Sequence, residues 1–296
     1  MATNRPHFAT RIACPTLSGF RYWLTLLLLL AFPLALFACG GSERDEPFPT
    51  LKDEGDFVLE YQDVDDAQLQ PLVTALRQAE VIQPELDYLN ETFALVGDVT
   101  VSVQTCDEGN AFYEPDTRTI LLCYELFDEI ALQFDEDYEL GDDAFLAALD
   151  AGVFFLHHEV GHALVDLYEL PVTGREEDAV DELAAILIIE GWDGGDLAVL
   201  TAADSFFNSG LEESAEVESP EDLPFWDEHS LDLQRFYSVA CLVYGSNPEA
   251  HAGLLADGTV PEENAELCQE TYGIKLDTWS FLLEPYFLPE SEDEEA

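Results

Sequence analysis

The chain has few cations. Lys and Arg number 10 against 63 Asp and Glu in 296 residues, a formal net charge of −53. Phosphate backbones are bound by clustered Lys and Arg, so this balance excludes a nucleic-acid partner. It also excludes adhesion to anionic lipid through a basic patch. No Cys-x-x-Cys pair is present, which argues against a zinc ribbon. No internal repeat is visible. Apolar residues make up 48% of the chain, an ordinary share for a packed globular protein and not the signature of disorder. The acidic excess reads first as a solvated surface.

Acids are also missing from residues 1–38, which carry Arg5, Arg11 and Arg21 and an almost purely apolar stretch from Tyr22 to Ala38. A basic leader followed by such a stretch reads as an export signal. Its end, Leu36-Phe37-Ala38-Cys39-Gly40, resembles a bacterial lipoprotein signal, which implies lipidation of Cys39. Gly40 rather than Asp then permits outer-membrane sorting. An uncleaved membrane anchor is the alternative, and both readings place the remainder in the cell envelope. Of the other cysteines beyond the signal, Cys106, Cys123, Cys241 and Cys268 are even in number, as expected in an oxidising compartment. Local pairing, Cys106 with Cys123 and Cys241 with Cys268, is the expectation.

Residues 39–56 are polar and rich in Gly, Pro and charge, and read as a lipid attachment point and flexible tether. A single domain is expected over residues 57–288, and residues 289–296 (PESEDEEA) read as a disordered acidic tail. Strands are expected at 57–61 and 98–104, and helices at 67–80 and 84–95. Apolar runs at 110–113 and 119–124 flank Glu114-Pro115-Asp116-Thr117, a turn sequence, and form a candidate hairpin. Helices follow at 144–168, 176–190, 197–208, 230–244 and 248–255. A small N-terminal sheet followed by a mainly helical half is an α+β arrangement.

His158-Glu159-Val160-Gly161-His162 lies within the long helix. Residues four apart share a helical face, so both imidazoles can bind one Zn²⁺ per chain, with Glu159 beside it as general base. The flanking residues are apolar, and buried His and Glu without partners would be costly. A third protein ligand leaves one position open for water. The next helix offers Glu177 and Asp181, four apart, bordering a stripe of Ala179, Val180, Leu183, Ala184 and Leu187. One can bind metal while the other accepts a hydrogen bond from a ligand imidazole. Periodicity alone leaves Glu177, Asp178 and Asp181 open, with Glu176 and Glu182 facing solvent. His157 reads as a packing or hydrogen-bonding residue, His251 as exposed, and Trp192, Trp226 and Trp279 as core.

His-Glu-x-x-His followed by Glu-x-x-x-Asp resembles the gluzincin metallopeptidases, the group of thermolysin and neprilysin. The resemblance implies Glu177 as third ligand and Asp181 as the partner of a ligand imidazole. It implies that Asn110-Ala111-Phe112-Tyr113 is an edge strand holding an extended peptide through its backbone and Asn110. It implies further that in Asp227-Glu228-His229-Ser230, His229 stabilises the oxyanion and is oriented by Asp227, and that Arg235 binds a substrate carbonyl. Only fourteen residues separate His162 from Glu177, fewer than in thermolysin or neprilysin. The string HHEVGHALVDLYELPVTGREEDAVDELAA also is similar to an uncharacterised bacterial metallopeptidase-like family over most of residues 57–287. The expected function is an exported, membrane-tethered zinc endopeptidase. A non-catalytic zinc lipoprotein that binds a peptide, and a zinc amidase acting on cell-wall peptides, are the alternatives.

Overall fold

The computed structural model of the chain describes residues 51–289. The signal at 1–38, Cys39, tether residues 39–50 and tail residues 290–296 lie outside the described residues. The architecture is α+β, with a four-stranded sheet followed by a mainly helical half. Among the described residues, no helix is long and apolar enough to cross a membrane.

The strands are β1 (Phe57–Tyr61), β2 (Val99–Gln104), β3 (Ala111–Glu114) and β4 (Thr119–Cys123), in the order β1-β2-β4-β3. Central β2 buries Val99, Val101 and Val103 on one face and Ser102 on the other, as a strand covered on both sides does. It pairs in parallel with β1 (Leu59 opposite Val101) and with β4 (Val101 opposite Ile120). Helices α1 (Gln70–Ala79) and α2 (Ile82–Thr92) supply the crossover that parallel β1 and β2 require. The expected hairpin is β3 and β4, antiparallel with Ala111 opposite Leu122, and β3 is an edge of the sheet. The Cys106–Cys123 disulfide ties its approach to its end. Residues 51–56, assigned to the tether from sequence, are bound to the domain: Glu54 N–H donates to Leu95 O (2.7 Å), and Asp53 accepts from Leu95 N–H (3.2 Å).

Cys123 ends β4, and the next residue begins helix α3 (Tyr124–Phe134). No Gly or Pro marks the change, so the helix start carries no breaker signal in the sequence. Helix α4 (Asp143–Leu167) starts at Asp142, whose side chain accepts from Phe145 N–H (3.0 Å). It stops where Glu169 takes a left-handed φ of 50°. Helix α5 (Glu176–Gly191) crosses α4 closely at Gly161. A methyl on Gly161 would lie 2.9 Å from Val180 Cβ, so the glycine inside the motif sets how near the two helices come.

Helix α6 (Gly195–Glu216) runs past its expected end at 208, and α7 (Asp232–Ser246) follows. The helix expected at 248–255 reduces to α8 (Gly253–Ala256), and α9 (Ala265–Leu283), not anticipated, packs on α7 through the Cys241–Cys268 disulfide. Two side-chain expectations are corrected. His251 is only 8% exposed, and its Nε2 lies 2.8 Å from Asp196 at the start of α6. Trp226 is 78% exposed, whereas Trp279 is buried and Trp192 packs its edge against Tyr88.

Candidate metal centre

Helix α4 carries His158 and His162 on one face, and their rings are 5.0 Å apart. The first turn of α5 brings Glu177 between them. Glu177 Oε2 lies 3.1 Å from His158 Nε2 and 3.2 Å from His162 Nε2. His229, from the segment before α7, reaches the same oxygen at 3.0 Å. Three imidazole Nε2 atoms therefore meet on one carboxylate oxygen. The ligand atoms of His158, Glu177 and His229 all lie within 4.8 Å of one another, and His162 joins them through Glu177. Three protonated imidazoles repel one another. A single cation facing their deprotonated nitrogens removes that repulsion, so the donor set suits a metal.

Burial would raise the Glu177 carboxyl, but hydrogen bonds from the three imidazoles hold it well below the usual carboxylate range. Burial would lower His158, but Asp181 and Glu177 outweigh it and hold the ring protonated up to about 9. Glu159 is buried, and desolvation pushes its carboxyl up.

The Nδ1 atoms also have partners. His158 Nδ1 meets Asp181 Oδ1 at 2.7 Å. His162 Nδ1 meets Glu176 Oε1 at 2.9 Å. Glu176, expected to face solvent, has a half-exposed side chain and still holds a motif histidine; sequence periodicity could not show that contact. Among the described residues, no hydrogen bond joins Asp178 to these rings. Arg235 directs Nε and Nη2 to the two Asp181 oxygens, each at 2.8 Å, and its guanidinium lies 4.0 Å over the Phe206 ring. Asp227 Oδ1 lies 3.5 Å from His229 Nδ1, and accepts a shorter bond from the His229 backbone N–H (3.0 Å).

His158, Glu159, His162, Glu177, His229 and Arg235 line a cleft of about 470 Å³, with Asn110, Ala111 and Tyr113 of the edge-strand segment also in its lining. Asn110 Oδ1 accepts from Ala111 N–H (2.9 Å), and Tyr113 O–H donates to Asp166 on α4 (3.0 Å), anchoring β3 beside the motif helix. A family model described as "Putative metallopeptidase" matches residues 61–283. The chain belongs to that family. No curated protein and no solved structure is significantly similar to the chain. Membership in this metallopeptidase family implies a metal and a peptide substrate, and the His/Glu cluster in the cleft is the group of described residues able to hold the metal.

One contact of this family member gave no sequence signal, and one histidine fits its sequence reading as a hydrogen-bonding residue. Arg175, just before α5, donates to the carbonyls of Phe225, Asp227 and His229. Behind the centre, buried His157 donates from Nδ1 to Val153 O (3.0 Å), and its Nε2 faces Glu85 at 3.6 Å with no hydrogen bond.

Proposed function

We propose that this chain is an exported zinc endopeptidase, held at the membrane by a lipid on Cys39. The observation that carries the reading is the meeting of three Nε2 atoms on Glu177 Oε2 beside buried Glu159. The donor set supports zinc, whose usual ligands are imidazole nitrogen and carboxylate oxygen. His158, His162 and Glu177 would hold the ion, and Asp181 would fix the His158 tautomer. Bound there, zinc supplies Lewis acidity toward a water and a scissile carbonyl.

The remaining roles belong to the chain. The Glu159 carboxylate takes the proton of the attacking water and returns it to the leaving amine; its raised pKa suits both transfers. His229 Nε2–H, which meets Glu177 in the structure, donates to the oxyanion when substrate arrives. Edge strand β3, with Asn110 and Ala111, accepts an extended peptide as an added strand. Arg235, whose Nε and Nη2 bond Asp181 and whose Nη1 lies 3.8 Å from Asp232 Oδ1, lines the cleft and meets a substrate carbonyl.

One observation favours a second reading. His229 can serve as a fourth protein donor, and a site closed by four donors is structural rather than catalytic. That would make the protein a non-catalytic zinc lipoprotein, in which Glu159 has no purpose. Elemental analysis of the chain from Cys39 onward, with casein and muropeptide cleavage assays, separates the readings. One zinc per chain, lost in Glu177→Ala, with casein cleaved, is expected. A folded protein without zinc after reconstitution would overturn the proposal, and cleavage of muropeptides alone would move it to a cell-wall amidase.

A further inference from the structure

Arg175 is one of only ten basic residues, yet its hydrogen-bond partners among the described residues are all backbone carbonyls. Nη1 donates to Asp227 O (2.8 Å) and His229 O (2.7 Å), with Glu228 O at 3.5 Å, and Nη2 donates to Phe225 O (3.2 Å). These oxygens lie between a short 3₁₀ helix, Pro220–Asp222, and α7, where no helix or strand ladder satisfies them. A planar guanidinium with five donors can gather several carbonyls at once; an ammonium is a single point.

The position of Arg175 gives this contact a consequence. It directly precedes Glu176, which bonds His162, and Glu177, which meets all three Nε2 atoms. One three-residue stretch thus holds a motif histidine, the shared carboxylate and the loop that carries His229. We propose that Arg175 is a positioning residue. By gathering the Phe225, Asp227 and His229 carbonyls it registers the His229 ring against the Glu177 end of the cleft, and it touches neither substrate nor metal.

The proposal rests on the peptidase reading for its kinetic arm only. The test compares the chain from Cys39 onward with Arg175→Lys and Arg175→Ala. Lys keeps the charge but cannot span three carbonyls, so it guards against simple misfolding of the Ala variant. Imidazole nitrogen NMR, with His229 assigned through His229→Gln, should show the His229 signal shifted or broadened in both variants and the His158 and His162 signals in place. Zinc affinity by chelator competition should stay near wild type. The kcat for a peptide should fall roughly 10- to 100-fold, as misplacement of a catalytic group does, with KM little changed. Added free guanidinium should restore part of the Arg175→Ala loss. An unchanged His229 signal in both variants overturns the proposal. So does a loss of zinc affinity matching the loss of kcat, which would assign Arg175 to support of the metal ligands. If the wild type cleaves no peptide, the functional reading fails, and the His229 signal still decides this one.

Discussion

Asp181 joins Arg235 to His158. Its Oδ1 accepts from His158 Nδ1 (2.7 Å) and Arg235 Nη2 (2.8 Å), and its Oδ2 accepts from Arg235 Nε (2.8 Å). Burial would raise this carboxyl, but Arg235 and His158 hold it well below the usual range. The fixed carboxylate holds the Nδ1–H and aims Nε2 at Glu177.

Removing either member of this pair has separable effects. Asp181→Asn should weaken metal affinity by about 10- to 100-fold, the usual cost of losing a carboxylate behind a ligand imidazole. Chelator competition measures it. Arg235→Met leaves the buried Asp181 carboxylate bonded to His158 but without its guanidinium, and should destabilise the fold by roughly 1–3 kcal/mol in urea unfolding.

Glu159→Gln should keep the wild-type metal content, because Glu159 is not among the residues that meet Glu177 Oε2. Peptide hydrolysis should fall at least about 10²-fold with loss of the general base. Normal cleavage by this variant would dismiss the proposed mechanism.

Glu85 gives a pH signature. Burial pushes its carboxyl from 4.5 to about 7, and its Oε2 lacks a hydrogen bond. His157, the group it faces, is pushed down to about 4 by burial. Between pH 4.5 and 7 the folded chain therefore holds a proton on Glu85 that the unfolded chain has released. Its stabilising effect is full below 4.5 and is lost as pH rises through 7. Glu85→Gln, which has no charge to bury, should gain stability relative to wild type by roughly 2–3 kcal/mol more at pH 8 than at pH 5. Urea melts at the two pH values test this, and equal differences at both would refute it.

The two disulfides close loops of 17 and 27 residues. Chain-entropy arguments give about 3 kcal/mol for each, slightly more for the longer. Cys106→Ser with Cys123→Ser should therefore lower unfolding stability by roughly that amount, and reduction of the wild type should lower it further.

Much of the site's first layer could be read along the chain. The His-Glu-x-x-His spacing puts two imidazoles on one face of α4, and the four-residue spacing of Glu177 and Asp181 puts both toward the same ring. The Pro115-Asp116 turn between apolar runs marked the β3–β4 hairpin. Helices α3 and α9 were harder to see: α3 starts without a breaker directly after a strand, and α9 mixes charged and apolar residues without a clear stripe.

What the sequence determined by itself was local: helical period, strand alternation, turn chemistry and the pairing of near cysteines. Each depends on residues a few positions apart or on short loops. What only the tertiary structure decided was which distant groups arrive at the cluster. His229 meets Glu177 from 52 positions away, His251 is buried and meets Asp196, and Glu176 turns from the solvent face to His162. Arg175 is the extreme case. It bonds backbone carbonyls, which every residue possesses, so no side chain in the Phe225–His229 segment could announce the contact.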